Sequence, residues 1–224
     1  RNRSNKQSQV TTIIPPVPPV PAQDPLTCLV ANGTTSIDFL DIQTTTDQQK
    51  TQFLTSILNT ASNSRIIQGY GNQSYGMGKV LTRFELTKIA LQANCLQPNQ
   101  LTPNQVFSDV PQDNSEMSLI IGTAQSLGIV TGKDGKFYPN QAVTYAEMSK
   151  ILLGSGYYFH GQTAPIVYSS SFPGITDQSF SQYAEYAVRL QLVALNNGIF
   201  PQNAPIYRDN MLQVLSRYIS YLKN

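Results

Sequence analysis

The residues able to do acid–base or nucleophilic chemistry in this chain are few and scattered. His160 is the single histidine, so a Ser-His-Asp triad, a Cys-His pair or a two-histidine metal site would have to form around one ring. No partner stands at a telling spacing from it, and it reads as a surface or capping residue in the Gly-rich, aromatic connection Gly154 to Gln162. Cys28 and Cys95 form no CxxC pair, which argues against a zinc ribbon or a thioredoxin-type motif. They read as one disulfide or as two independent buried thiols. Thirteen acidic residues leave a glycosidase pair arithmetically open, yet nothing brings two of them together. The stretch Gly71 to Val80 has the glycines of a phosphate loop, but Lys79 does not follow the required glycine and Val80 is neither Ser nor Thr. Tyr70, Tyr75, Tyr157, Tyr158, Phe159 and Tyr168 could stack on sugar, or serve as rims and packing lids. The chain therefore reads as a non-enzyme with neither cofactor nor metal.

Composition sets the class of partner. Charged residues make up 12 % of the 224, about half of the roughly 25 % usual for soluble domains, and amide and hydroxyl side chains take their place. A net charge of +2 gives little steering toward nucleic acid or anionic lipid, both of which need clustered Lys and Arg. No apolar run reaches the length of about eighteen residues that spans a bilayer. The opening Arg1 reads as the start of a mature product or of an excised piece of something longer.

The elements that must position any site begin after residue 25. Residues 1–25 form an extended arm or linker, because Pro15, Pro16, Pro18, Pro19, Pro21 and Pro25 remove amide donors and favour polyproline II. From there one set of signals recurs three times. Phe39-Leu40-Asp41-Ile42, Phe107-Ser108-Asp109-Val110 and Phe172-Pro173-Gly174-Ile175 each open a unit, and a helical stripe follows each. The stripes are Phe53, Leu54, Ile57, Leu58 and Ala61; Leu119, Ile120, Thr123, Ala124 and Leu127; and Phe180, Tyr183, Ala184, Ala187, Val188 and Leu190.

Short apolar runs then lead into turns rich in Gly and Asn, residues that tolerate a positive φ. Ile67, Val130 and Val193 stand 63 positions apart, as do Phe137 and Phe200. Thr82-Arg83-Phe84-Glu85 and Thr144-Tyr145-Ala146-Glu147 are capping boxes that start a second helix. In the third unit the box has decayed to Tyr207-Arg208-Asp209-Asn210. The stripes of these second helices are Leu86, Ile89 and Ala90; Met148, Ile151 and Leu152; and Met211, Leu212, Leu215, Tyr218, Ile219 and Leu222.

This ordered set resembles the S-layer homology family, most clearly in Phe107-Ser108-Asp109-Val110, Gly128-Ile129-Val130-Thr131-Gly132, Asp134-Gly135-Lys136-Phe137-Tyr138-Pro139 and Val143-Thr144-Tyr145-Ala146-Glu147. The resemblance covers about residues 36–222. It implies an all-α fold of three helix-loop-helix repeats, at 26–98, 99–160 and 161–224, in a pseudo-threefold spindle around a central three-helix bundle. It also implies that grooves between units bind an anionic, often pyruvylated, polysaccharide of the bacterial cell wall. Carried over by position, Arg83 and Arg208 match the family arginine, Gly69 and Gly132 the groove glycine, and Asp41 and Asp109 the aspartate near the unit start. Tyr145, Gly174 and Leu195 stand where the family has Arg, Asp and Gly. The implied glycan site centres on Arg83 with Gly69, seconded by Arg208. The same arginines have a plain reading as solvated first-turn residues, and the aspartates as helix or turn caps.

The expected role is thus a non-catalytic anchoring module, extracellular at the bacterial cell surface, with cell-wall polysaccharide as partner. An alternative is a self-assembling subunit of an extracellular layer or filament, whose N-terminal arm contacts a neighbouring copy. Uncharged, amide-rich surfaces suit such contacts.

Overall fold

Apolar residues recurring three and four apart, between turns that carry Gly and Pro, dictate helices. The computed structural model describes residues 39–43, 52, 54–58, 66–96, 107–113, 115–160 and 173–222. The arm at 1–25, Cys28, Phe53, Ala61, Tyr168 and Phe172 lie outside the described residues. Helices are α1 (Leu40–Gln43), α2 (residues 54–58), α3 (Arg83–Ala93), α4 (Glu116–Ser126), α5 (Tyr145–His160), α6 (Ser181–Arg189, entered through a 3-10 turn at Gln178–Phe180) and α7 (Arg208–Leu222). Only isolated bridges and no strand occur among the described residues, so the fold class is all-α.

The expected stripes are the core. Leu54, Ile57 and Leu58 of α2, Leu86, Ile89 and Ala90 of α3, Met148, Ile151 and Leu152 of α5, and Met211, Leu212 and Leu215 of α7 are buried. In α6 Ala184 and Ala187 are buried, while Tyr183, Val188 and Leu190 pack at its margin. α3 lies against α4 and α5, and α5 against α6. Both capping boxes form. Thr82 accepts from the Glu85 amide while the Glu85 carboxylate accepts from the Thr82 amide, and Thr144 and Glu147 make the same exchange at 3.3 and 3.0 Å.

Three backbone segments close into a ring ahead of α3, α5 and α7. The Leu81 amide donates to the Ile206 carbonyl at 2.9 Å, Ile206 to Val143 at 3.0 Å, and Val143 to Leu81 at 2.9 Å. All three side chains are fully buried. Each bond joins a different pair of segments, so the N-termini of the three long helices are fixed side by side at one end of the core.

The turns explain a shift in spacing. Lys133 bridges Lys136 across Asp134-Gly135, and Asn196 bridges Ile199 across Asn197-Gly198, with positive φ at both central residues of each, the geometry of a two-residue hairpin turn. The first segment bridges Tyr70 to Ser74 across three residues, and the positive φ moves to Asn72 and Gln73. One extra residue here changes the offset between the first two segments from 63 to 62, so Tyr75 occupies the place of Phe137 and Phe200. All three rings are buried, which removes Tyr75 from the candidate sugar-stacking residues.

One expectation is corrected. The stretch Gly154 to His160 is helix, the last two turns of α5, and not a connection. Gly156 serves close packing: a Cβ there would collide with the Tyr218 hydroxyl of α7, and Gly at a helix interior is tolerated where a neighbour approaches this closely.

Candidate functional site

Each long helix begins by reaching across to a neighbouring segment. The Arg83 amide donates to the Gln141 carbonyl at 2.9 Å, Tyr145 to Ala204 at 3.1 Å, and Arg208 to Lys79 at 2.9 Å. The first residue of α3, α5 or α7 is thereby delivered to the turn of a different segment, which decides what its side chain meets.

Arg83 enters a cavity of about 430 Å³ lined by Thr131, Gly132, Lys133, Tyr138, Glu147 and Lys150, among others. Its Nη1 donates to Glu147 Oε1 at 2.7 Å and its Nη2 to the Thr131 carbonyl at 2.9 Å, while the guanidinium lies 5.0 Å from the Phe137 ring centroid. Its Nε is buried with no hydrogen-bond partner. Burial pushes the Arg83 pKa below its usual value, and the opposing pull of Glu147 does not restore it. Three cations, Arg83, Lys133 and Lys150, face one carboxylate, Glu147, in this lining.

Arg208 sits in a smaller hollow of about 140 Å³ beside Gly69, Tyr70, Glu85 and Lys88. It repeats the grip of Arg83: Nη1 donates to Glu85 at 3.0 Å and Nη2 to the Gln68 carbonyl at 2.6 Å. Its Nε also has a partner, the Tyr75 carbonyl at 2.9 Å. The residue is 3 % exposed, so the reading of it as a solvated first-turn residue is overturned.

The expected partnership of Arg83 with Gly69 is corrected as well. Because helix starts cross between segments, Arg83 meets Gly132, and Gly69 belongs with Arg208. The glycines also have a reason independent of any sugar. A Cβ on Gly69 would strike the Phe39 ring and come within 2.7 Å of the Ser74 carbonyl; on Gly132 it would strike the Phe107 ring and come within 2.5 Å of the Lys136 carbonyl. The phenylalanines that open the first two segments, Phe39 and Phe107, therefore need the glycine.

Asp41 and Asp109 tie the segment openings to the turns. Asp41 accepts from the amides of Tyr75, Gly76 and Met77 at 2.8, 2.7 and 2.9 Å and from the Ser74 hydroxyl. Asp109 accepts from the Phe137 and Tyr138 amides at 2.8 and 2.7 Å. Burial raises both pKa values, but these amide donors outweigh it and hold both carboxyls below the ordinary range. In the third segment the corresponding bond runs from the Phe200 amide to the Pro173 carbonyl at 2.9 Å. Gly174 has φ +97° there, and a side chain would collide with Ile199 and lie 2.6 Å from the Phe200 carbonyl. Backbone has taken over the task of the carboxylate.

Sequence reasoning missed Glu147, Lys133 and Lys150. Glu147 was legible as a capping residue, but its second duty toward Arg83 depends on the crossing between segments, which no local spacing encodes. Cys95 is disulfide-bonded. Among the described residues no cluster of His, Cys, Asp and Glu could hold a metal ion, and no helix is long and apolar enough to cross a membrane.

The central segment, with its Asp-held turn, buried Phe pair and Thr-Glu cap, is the part whose family is decided by comparison. Residues 106–149 match the S-layer homology domain. No curated protein matches the chain. The matched S-layer homology segment contains Thr131, Gly132, Lys133, Tyr138 and Glu147, and supplies most of the wall of the larger cavity. S-layer homology domains are non-catalytic modules of cell-surface anchoring, and the match marks the protein as associated with the cell envelope.

Proposed function

We propose that the protein is a non-catalytic anchor that holds an acidic cell-wall polysaccharide in the Arg83 groove, and that the segments flanking residues 106–149 are two diverged copies of the same S-layer homology unit. The closed hydrogen-bond ring of Leu81, Val143 and Ile206 supports the second part, since each segment makes the same bonds as the other two. The observation that carries the first part is the Arg83 groove itself. It combines ligand-sized volume, an excess of cations, and a buried Arg Nε with no partner. A carboxylate on a sugar, such as a pyruvate ketal, is the acceptor a guanidinium takes most strongly. The disulfide at Cys95 suits an exported protein, and we assign Cys28 as its partner. Intact mass after alkylation without reductant shows no alkylated thiol if that pairing holds.

The anchor is tested by co-sedimentation with purified cell walls. Wild-type protein pellets with walls and Arg83→Gln stays in the supernatant with its helical circular dichroism unchanged. Equal pelleting of both proteins would remove the Arg83 groove as the site. Large particles formed without walls would instead favour the self-assembling subunit.

A further inference from the structure

The two arginine grooves are built alike and finished differently. In both, the guanidinium is gripped by the capping glutamate of a neighbouring helix and by a backbone carbonyl, at Glu147 and Thr131 or at Glu85 and Gln68. They diverge at the residue that starts the turn. At the Arg83 groove this is Lys133; at the Arg208 groove it is Tyr70, the residue that bridges to the end of its own turn in the same manner.

Tyr70 lies over its groove. Its hydroxyl donates to Glu85 Oε1 at 2.6 Å, the carboxylate that also holds Arg208. The ring centroid is 4.6 Å from the Arg208 guanidinium and 4.3 Å from the Lys79 ammonium. Room for the ring comes from Gly76, where a Cβ would collide with it and where φ is +87°. The position matching Gly76 in the other groove is Tyr138, which keeps a side chain at φ 61° and lines the open cavity. Tyr70 and Gly76 are therefore complementary. The remaining cation, Lys88, is paired with Glu116 at 2.6 Å and with Gln68 at 2.9 Å. The hollow that remains, about 140 Å³, falls below the roughly 300 Å³ at which ligand pockets begin, whereas the Arg83 cavity exceeds it.

The third helix start has lost the set altogether. Tyr145 stands in place of the arginine, and the matching positions for Gly132, Lys133, Glu147 and Lys150 carry Leu195, Asn196, Asn210 and Gln213. No charge remains at those positions to take an anion.

We propose that Tyr70 is a built-in lid that occupies the Arg208 groove in place of a ligand, so that the molecule has one operative site for an acidic sugar, at Arg83, and a second that is latent. This rests on the glycan-binding reading above and adds to it the stoichiometry and the residue that sets it. The ring covers the guanidinium face and its hydroxyl takes Glu85 Oε1, so it fills the space through which a sugar would reach Arg208. A ligand must expel it first.

Isothermal titration of the full 224-residue chain with a pyruvate-ketal hexoside tests the lid. Wild type binds one equivalent and Tyr70→Ala binds two. Arg83→Gln weakens binding by at least about tenfold, and Arg83→Gln with Tyr70→Ala regains one equivalent through the opened groove. Tyr70→Lys, which places there the residue type of the open groove, does the same and guards against collapse of the emptied hollow. If wild type binds nothing, or if Arg83→Gln binds as well as wild type, the glycan-binding reading fails. If wild type binds one equivalent that Arg83→Gln removes, yet neither Tyr70 variant adds a site, the lid is wrong while the Arg83 site stands. Two equivalents on wild type would also overturn the lid.

Discussion

Glu147 Oε1 lies 2.7 Å from Arg83 Nη1 although the two residues begin different helices, α5 and α3. The same carboxylate closes the cap of its own helix through the Thr144 amide. One side chain thus does a local task and a tertiary one, and the two tasks are separable by substitution. Glu85 repeats the arrangement with Thr82 and Arg208.

Glu147→Gln is expected to destabilise the fold more than Arg83→Gln. Glutamine preserves much of the cap but leaves the Arg83 guanidinium, 15 % exposed, without a counter-charge; removing one partner of a desolvated pair costs about 2 kcal/mol or more. Arg83→Gln leaves Glu147 still bonded to Thr144 and costs about 1 kcal/mol. Urea unfolding midpoints read the order directly, and equal or reversed losses would show that the pair does not hold α3 to α5.

Gly132→Ala is expected to cost about 1–3 kcal/mol, the usual range for overpacking, because the new methyl meets the Phe107 ring and the Lys136 backbone. Gly71→Ala is the control. Its Cβ would meet nothing within 4 Å and its φ is not positive, so thermal unfolding should match wild type to within about 0.5 kcal/mol. A neutral Gly132→Ala would mean that the glycine is kept for ligand approach and not for packing.

How far the residues themselves announce this architecture depends on the range of the interaction. Helix stripes and the boxes at Thr82 and Thr144 are legible because their physics acts within four residues, and the structure buries and caps them as expected. Gly156 misleads for the complementary reason: its cause is Tyr218 in α7, more than sixty positions away. The pairing of Arg83 with Gly132 instead of Gly69 depends on the crossing of helix starts between segments, and periodicity carries no information on that. One overlooked signal was available. The change of offset from 63 to 62 locates the extra turn residue beside Tyr70 and marks that turn as unlike the others.

Asp41→Asn is expected to lose about 1–3 kcal/mol at pH 7, since hydrogen bonds to a charged acceptor are replaced by weaker ones. The sign of the pH dependence follows from the depressed folded-state pKa. Asp41 contributes its full stabilisation above the unfolded carboxyl value of 3.8 and loses it as pH falls through the lower folded value. The gap between wild type and variant, measured by urea unfolding, should therefore narrow from pH 6 to pH 3. A gap constant across that range would show that the Asp41 charge does not hold the Tyr75–Met77 turn.

At the far end of the core, a polar cluster joins the long helices. The Tyr218 hydroxyl of α7 donates to Asn94 Oδ1 at 2.9 Å, and Asn94 Nδ2 at the end of α3 donates to Ser155 Oγ of α5 at 2.9 Å. All three residues are buried. Burial pushes the Tyr218 pKa up, so the hydroxyl stays a donor throughout the neutral range. Such a cluster is costly unless fully bonded, and it therefore penalises any sliding of one helix against the others. Tyr218→Phe is expected to cost about 1–3 kcal/mol by removing the buried hydrogen bond from the Tyr218 hydroxyl to Asn94. In a double-mutant cycle with Asn94→Ala, chemical denaturation should return a coupling of about 1–2 kcal/mol. Additive losses would mean that the bond sets no register, and that the backbone ring at Leu81, Val143 and Ile206 alone aligns the three helices.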